Sequence, residues 1–151
     1  MKRIILAATA LLLSGAAMAQ PWAPSYAQSL VDKTLAAHPE LTILALHVTP
    51  PAAADNVIVA SNIGRIGKKA DADDLSVLAS GKPRVEMTKV GDLSVELIMR
   101  DVNAKTIGVI GATFRFAGGG DKALAVQQAE RLRDELSAQT PSLEALFEPA
   151  R

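Results

Sequence analysis

The 151-residue chain is of single-domain length; at 49% hydrophobic and 21% charged, with no net charge, it is neither a disordered polyelectrolyte nor a basic partner for nucleic acid. It has no cysteine, which excludes disulfides, thiolate metal centres and cysteine nucleophiles, and only two histidines, His38 and His47. Lys2 and Arg3, the apolar run over residues 4–13 and Ala17-Met18-Ala19 are the three parts of a secretory signal peptide, so cleavage is expected after Ala19. The leader removes two of the 16 basic residues and none of the 16 acidic ones, leaving residues 20–151 at −2. No later apolar run reaches the ~20 residues of a membrane span. The expected location is a bacterial periplasm, with no membrane insertion after cleavage.

Pro24-Ser25 reads as a helix start, with Ala27, Leu30, Val31, Thr34, Leu35 and His38 on one face and Pro39 as the stop. Residues 41–48 are apolar on both faces, as in a strand covered on both sides, and residues 56–61 form a second, shorter strand. Asp73 and Asp74 open a short helix carrying Leu75, Leu78 and Ala79, closed by Gly81. Alternation predicts strands over 84–90, 93–100 and 106–116, with a hairpin turn at Asp101-Val102-Asn103-Ala104, where Asn103 tolerates the left-handed conformation. Gly108 and Gly111 inside the last strand mark a bulge or a close approach. Residues 117–120 make a glycine-rich joint. Asp121 caps a last helix with Ala125, Ala129, Leu132 and Leu136 in register, and a turn from Pro141 ends in Leu146-Phe147. The economical packing is one α+β domain over residues 20–151, a single antiparallel sheet with helices laid against it.

Few residues carry chemistry. Gly64, Arg65, Gly67, Lys68 and Lys69 follow a strand, and read either as an anion cradle or as a turn with a solvated basic edge. A P-loop is excluded, because no Ser or Thr follows Gly67-Lys68. Asp71, Asp73 and Asp74 lack the EF-hand spacing and fit helix capping better. No nucleophile elbow or acid–base pair is discernible, so no enzyme, no metal and no cofactor is expected.

The string from Asn56 through Arg65-Ile66-Gly67, the short helix ending Ser80-Gly81-Lys82, and Asp101-Val-Asn-Ala-Lys-Thr-Ile-Gly-Val-Ile-Gly111 resemble the Cache and PAS-like sensor domains. The resemblance implies a five-stranded antiparallel sheet with flanking N- and C-terminal helices, and a small-molecule pocket under the segment from Ser61 to Lys82. Strand phase and loop position nominate His47, Ser61, Asn62, Arg84, Glu86, Ser94, Glu96 and Thr113 as ligand-binding residues. Ser94 and Glu96 stand where carboxylate sensors carry basic residues, which favours a cationic or hydroxyl-bearing ligand over a di- or tricarboxylate. The expected function is a stand-alone periplasmic ligand-binding module that passes its state to a separate membrane sensor or receptor. The alternative is a ligand-free interaction module that docks or homodimerises through its Ala-rich C-terminal helix and Leu146-Phe147.

Overall fold

The computed structural model describes residues 24–116 and 120–150; the expected leader over residues 1–19 and most of the glycine-rich joint lie outside them. The order is α1 (Tyr26–Ala37), β1 (Leu41–Val48), β2 (Val57–Ser61), α2 (Ala72–Ser80), β3 (Arg84–Met87), β4 (Leu93–Arg100), β5 (Thr106–Phe114) and α3 (Lys122–Gln139), then a 3-10 turn over Glu144–Phe147. The strands form one sheet in the order β2-β1-β5-β4-β3. Every neighbouring pair is antiparallel. The fold is the expected α+β arrangement.

Local chemistry places the helix ends. Ser25 caps α1 by accepting from the Gln28 N–H, and Asp121 caps α3 by accepting from Ala123 and Leu124. Gly81 closes α2 at φ 69°, a left-handed conformation suited to glycine. The N-cap of α2 is Asp71 rather than Asp73 or Asp74. Its carboxylate accepts from both of their N–H groups, while the Asp74 carboxylate accepts from the Asp71 N–H. This shift also re-aims the helix: Asp74 and Val77 are its buried side chains, and Leu75 is 48% exposed.

Helices α1 and α3 cover one sheet face. Leu44, Leu46 and Val48 of β1, the odd-numbered residues of β4 from Leu93 to Met99, and Ile110, Ala112 and Phe114 of β5 meet Leu30, Val31, Ala125, Ala129, Leu132 and Leu136 in one core. Burying each large aliphatic side chain contributes about 1.5–3 kcal/mol. The Ala-rich stripe of α3 and Leu146 are thus consumed in the domain's own core, which removes them as the docking surface of the interaction-module alternative. Phe147 stays 40% exposed.

Three segments depart from expectation, among them β5, which ends at Phe114 rather than residue 116. β3 stops at Met87 instead of residue 90, because Thr88 and Asp92 already close a turn around Gly91 at φ 89°. The β4–β5 turn is built on Asp101, whose Oδ1 accepts from the Asn103 and Lys105 N–H groups, yet its left-handed residue is Ala104 at φ 62°, not Asn103. An alanine there is strained relative to glycine. Ala104→Gly should therefore raise stability by about 0.5–1 kcal/mol, less whatever glycine adds to unfolded-state freedom. A melting temperature that falls in this variant would overturn the assignment.

His38, the C-cap of α1, clasps two elements: its Nδ1 lies 3.3 Å from Glu40 and its Nε2 2.8 Å from Glu135 of α3. Burial works against the charged imidazole, but hydrogen bonds and attraction from the two carboxylates outweigh it and raise its pKa. The stabilisation is fully present below the unfolded value of 6.5 and is lost as pH rises through the higher folded value. The stability difference between wild type and His38→Gln should accordingly be largest near pH 5.5 and shrink toward pH 8.5 in parallel melts.

Candidate functional site

Side chains alternate between sheet faces, so register decides what the second face presents. Three rows cross it. The first runs Glu86, Ser94, Thr113, Ile43; the second Arg84, Glu96, Gly111, Ala45, Ser61; the third Ile98, Val109, His47, Ile58. Helix α2 lies over the third row, where Val77 and Leu78 pack on Ile98 and Val109. The other two rows keep polar groups near their β3–β4 ends.

α2 is also tied down by charge. His47 Nδ1 lies 3.4 Å from Asp74 Oδ2, and both side chains are about nine-tenths buried. Arg84 reaches Asp73 at 3.0 Å, Glu86 at 3.1 Å and Glu96 at 3.9 Å. Glu96 Oε2 and His47 Nδ1 are buried without a hydrogen-bond partner. Burial, reinforced by repulsion from Asp74, pushes the Glu96 carboxyl up to about 7 against the opposing pull of Arg84. Burial lowers the pKa of His47 despite attraction from Asp74, so the imidazole is neutral near pH 7. Asp71 is held below its usual value chiefly by the N–H of Asp74, as its capping role requires. Among the described residues no group of His, Asp and Glu side chains is arranged to hold a metal ion.

Where α2 ends, the face opens into a groove of about 370 Å³. Ile43, Ala45, Gly111, Ser94 and Thr113 form its floor; Ile63 and Arg65 stand on one side, Glu86, Met87, Thr88 and Lys89 on the other. Thr113 Oγ1 donates to Ser94 Oγ at 3.3 Å. A Cβ on Gly111 would meet nothing within 4 Å, so this glycine leaves the floor open, whereas Gly108 marks a close approach to β1.

The nominated residues separate into three groups. Glu86, Ser94 and Thr113 line the groove; Arg84 and Glu96 occupy the adjoining row; His47 lies under α2. Ser61 and Asn62 serve the loop instead. The Ser61 hydroxyl accepts from the Ile63 N–H, and the Asn62 amide bonds the Leu44 N–H and the Thr42 carbonyl, continuing the strand pairing past β2. The basic segment after β2 folds back along it: Ile58 donates to the Lys68 carbonyl and Gly67 donates to the Ile58 carbonyl. That hairpin engages the Gly67 and Lys68 N–H groups, and Lys69 pairs with Asp55 at 2.7 Å. The turn reading holds, with one addition. Arg65, the basic residue of that segment at φ 64°, lines the groove together with Lys89 of the β3–β4 turn, which spacing did not nominate. A separate cleft of about 300 Å³, lined by Tyr26, Pro141, Ser142, Ala145, Glu148 and Pro149, lies beside α1 and the C-terminal segment, away from these groups.

No family model matches the sequence, and no curated protein matches it. Among solved structures the chain is similar to the sensor domain of E. coli DcuS, at 19% identity over 68% of this chain and 71% of that one, with a TM-score of 0.40. It is also similar to the Agobacterium tumefaciens repressor BlcR, at 14% identity over 82% of this chain and 68% of that one, with a TM-score of 0.47.

Proposed function

We propose that this protein is a small-molecule-binding sensory module, exported by its leader to the periplasm, which passes its ligand state to a separate membrane protein. The observation that carries the reading is the half-covered sheet face: a groove of about 370 Å³ floored by two hydroxyls, beside a carboxylate oxygen that is buried and unpartnered. Such groups converging on a partly apolar cavity are the ordinary make-up of a ligand site. Binding is favoured over catalysis because, among the described residues, no hydroxyl is hydrogen-bonded to an imidazole to act as an activated nucleophile. No helix of the described residues is long and apolar enough to cross a membrane.

Native mass spectrometry of the chain, expressed with its leader and isolated from the periplasm, tests this directly. A bound mass that vanishes on denaturation, with amide shifts mapping to Ser94, Gly111 and Thr113, is the expected result. A ligand whose shifts map to the cleft at Tyr26 would move the site; retention in the cytoplasm would remove the export step.

A further inference from the structure

Resting on that reading, we propose that the groove takes a small zwitterion, with its ammonium group at Glu96 and its carboxylate between Arg65 and Lys89. The charges on this face are unbalanced in two places. At the α2 end, Asp73, Glu86 and Glu96 share the single guanidinium of Arg84, and Asp74 adds a fourth carboxylate opposite the neutral His47. Arg84 is committed at 3.0 and 3.1 Å to Asp73 and Glu86, so at 3.9 Å it satisfies Glu96 poorly, and Oε2 has no partner. A buried acceptor left unpaired is costly, and a cationic donor reaching the 21% of the Glu96 side chain that stays exposed would offset that cost.

At the open end the imbalance is reversed. Arg65 and Lys89 stand on opposite sides of the groove, and neither has an ion-pair partner among the described residues. The floor between the two ends is Ile43, Ala45 and Gly111 with the Ser94 and Thr113 hydroxyls, which suits a short body. Glu96 pairs across the strands with Gly111, the gap in the floor, so its row adjoins the cavity. A simple carboxylate would match the open end and leave Glu96 unpaired. A simple amine would do the converse. Only a molecule carrying both charges answers both ends.

Ionisation of Glu96 is required for the ammonium contact. It is opposed by Asp71, Asp73 and Asp74 of the α2 segment and helped by Arg84 of β3, so affinity should rise with pH up to about 7 and then level off.

The test is calorimetry on the whole exported chain near pH 8, with unbranched ω-amino acids of increasing length and the carboxylates and amines matched to each. The expected result is one amino-acid length that binds at least about tenfold more tightly than its matched carboxylate or amine, a gap of about 1.4 kcal/mol. Glu96→Gln should bring that amino acid down to the level of the carboxylate without changing carboxylate binding. The paired Arg65→Ala and Lys89→Ala change should bring it down to the level of the amine. A carboxylate that binds as tightly as the amino acid overturns the proposal, as does unchanged amino-acid affinity in Glu96→Gln. Failure of the whole series also overturns it. The native mass spectrum then separates the two readings: a retained, non-zwitterionic ligand in the groove leaves the binding function standing, and an empty groove removes both.

Discussion

Gly108→Ala should be among the most damaging single substitutions in this domain, costing about 3 kcal/mol or more, in the range of severe core lesions. A Cβ at this position would stand 2.0 Å from the His47 carbonyl oxygen and 2.8 Å from a Val48 methyl. The first contact is with backbone, so no rotamer change relieves it; β5 and β1 must separate. These are interior strands of the sheet, and their pairing carries His47 on one face and Val48 on the other. Urea melts of the variant and wild type check the magnitude. Gly111→Ala is the internal control, because its Cβ would enter open space. Equal stabilities for Gly108→Ala and wild type would mean that β1 and β5 do not approach as described.

The second large effect runs the other way. Glu96→Gln should stabilise the ligand-free protein at alkaline pH. The carboxyl is raised from 4.5 to about 7, so the native state prefers it protonated, and stability falls as pH rises between those values. Each pH unit in that interval is worth about 1.4 kcal/mol. With the side chain 21% exposed, solvent screening brings the total to about 2 kcal/mol. Glutamine keeps the shape and removes the charge. The variant should match wild type near pH 4 and exceed it by about 2 kcal/mol near pH 8, with the difference between the two growing across the interval. A difference between variant and wild type that stays constant across this interval would show that Glu96 ionises freely, and would count against a specialised carboxylate here. Stability given up at a binding carboxylate in the free protein is recovered when a cation arrives.

Much of this architecture is legible in the residues. Ser25, Asp121 and Gly81 mark helix ends because capping is local chemistry, and the alternation in residues 93–100 separates Leu93, Val95 and Leu97 from Ser94 and Glu96 before any fold is known. The same phase argument put His47, Arg84, Glu86, Ser94, Glu96 and Thr113 on one face. It could not separate them from Ser61 and Asn62, because a loop side chain that bonds its own neighbours looks the same in sequence as one that faces a ligand.

What the sequence by itself determined is therefore the set of elements, their ends and the polarity of each strand's two sides, all of which depend on neighbours a few residues apart. Only the tertiary structure decided how far α2 reaches across the sheet. Capped at Asp71, the helix buries Asp74 and Val77, sits over Ile98 and Val109, and leaves the rows from Ile43 to Thr113 and Ala45 to Gly111 open. It alone brought Arg65 and Lys89, 24 positions apart in sequence, to facing sides of one groove. That meeting depends on the strand order β2-β1-β5-β4-β3, a long-range pairing that no local spacing encodes.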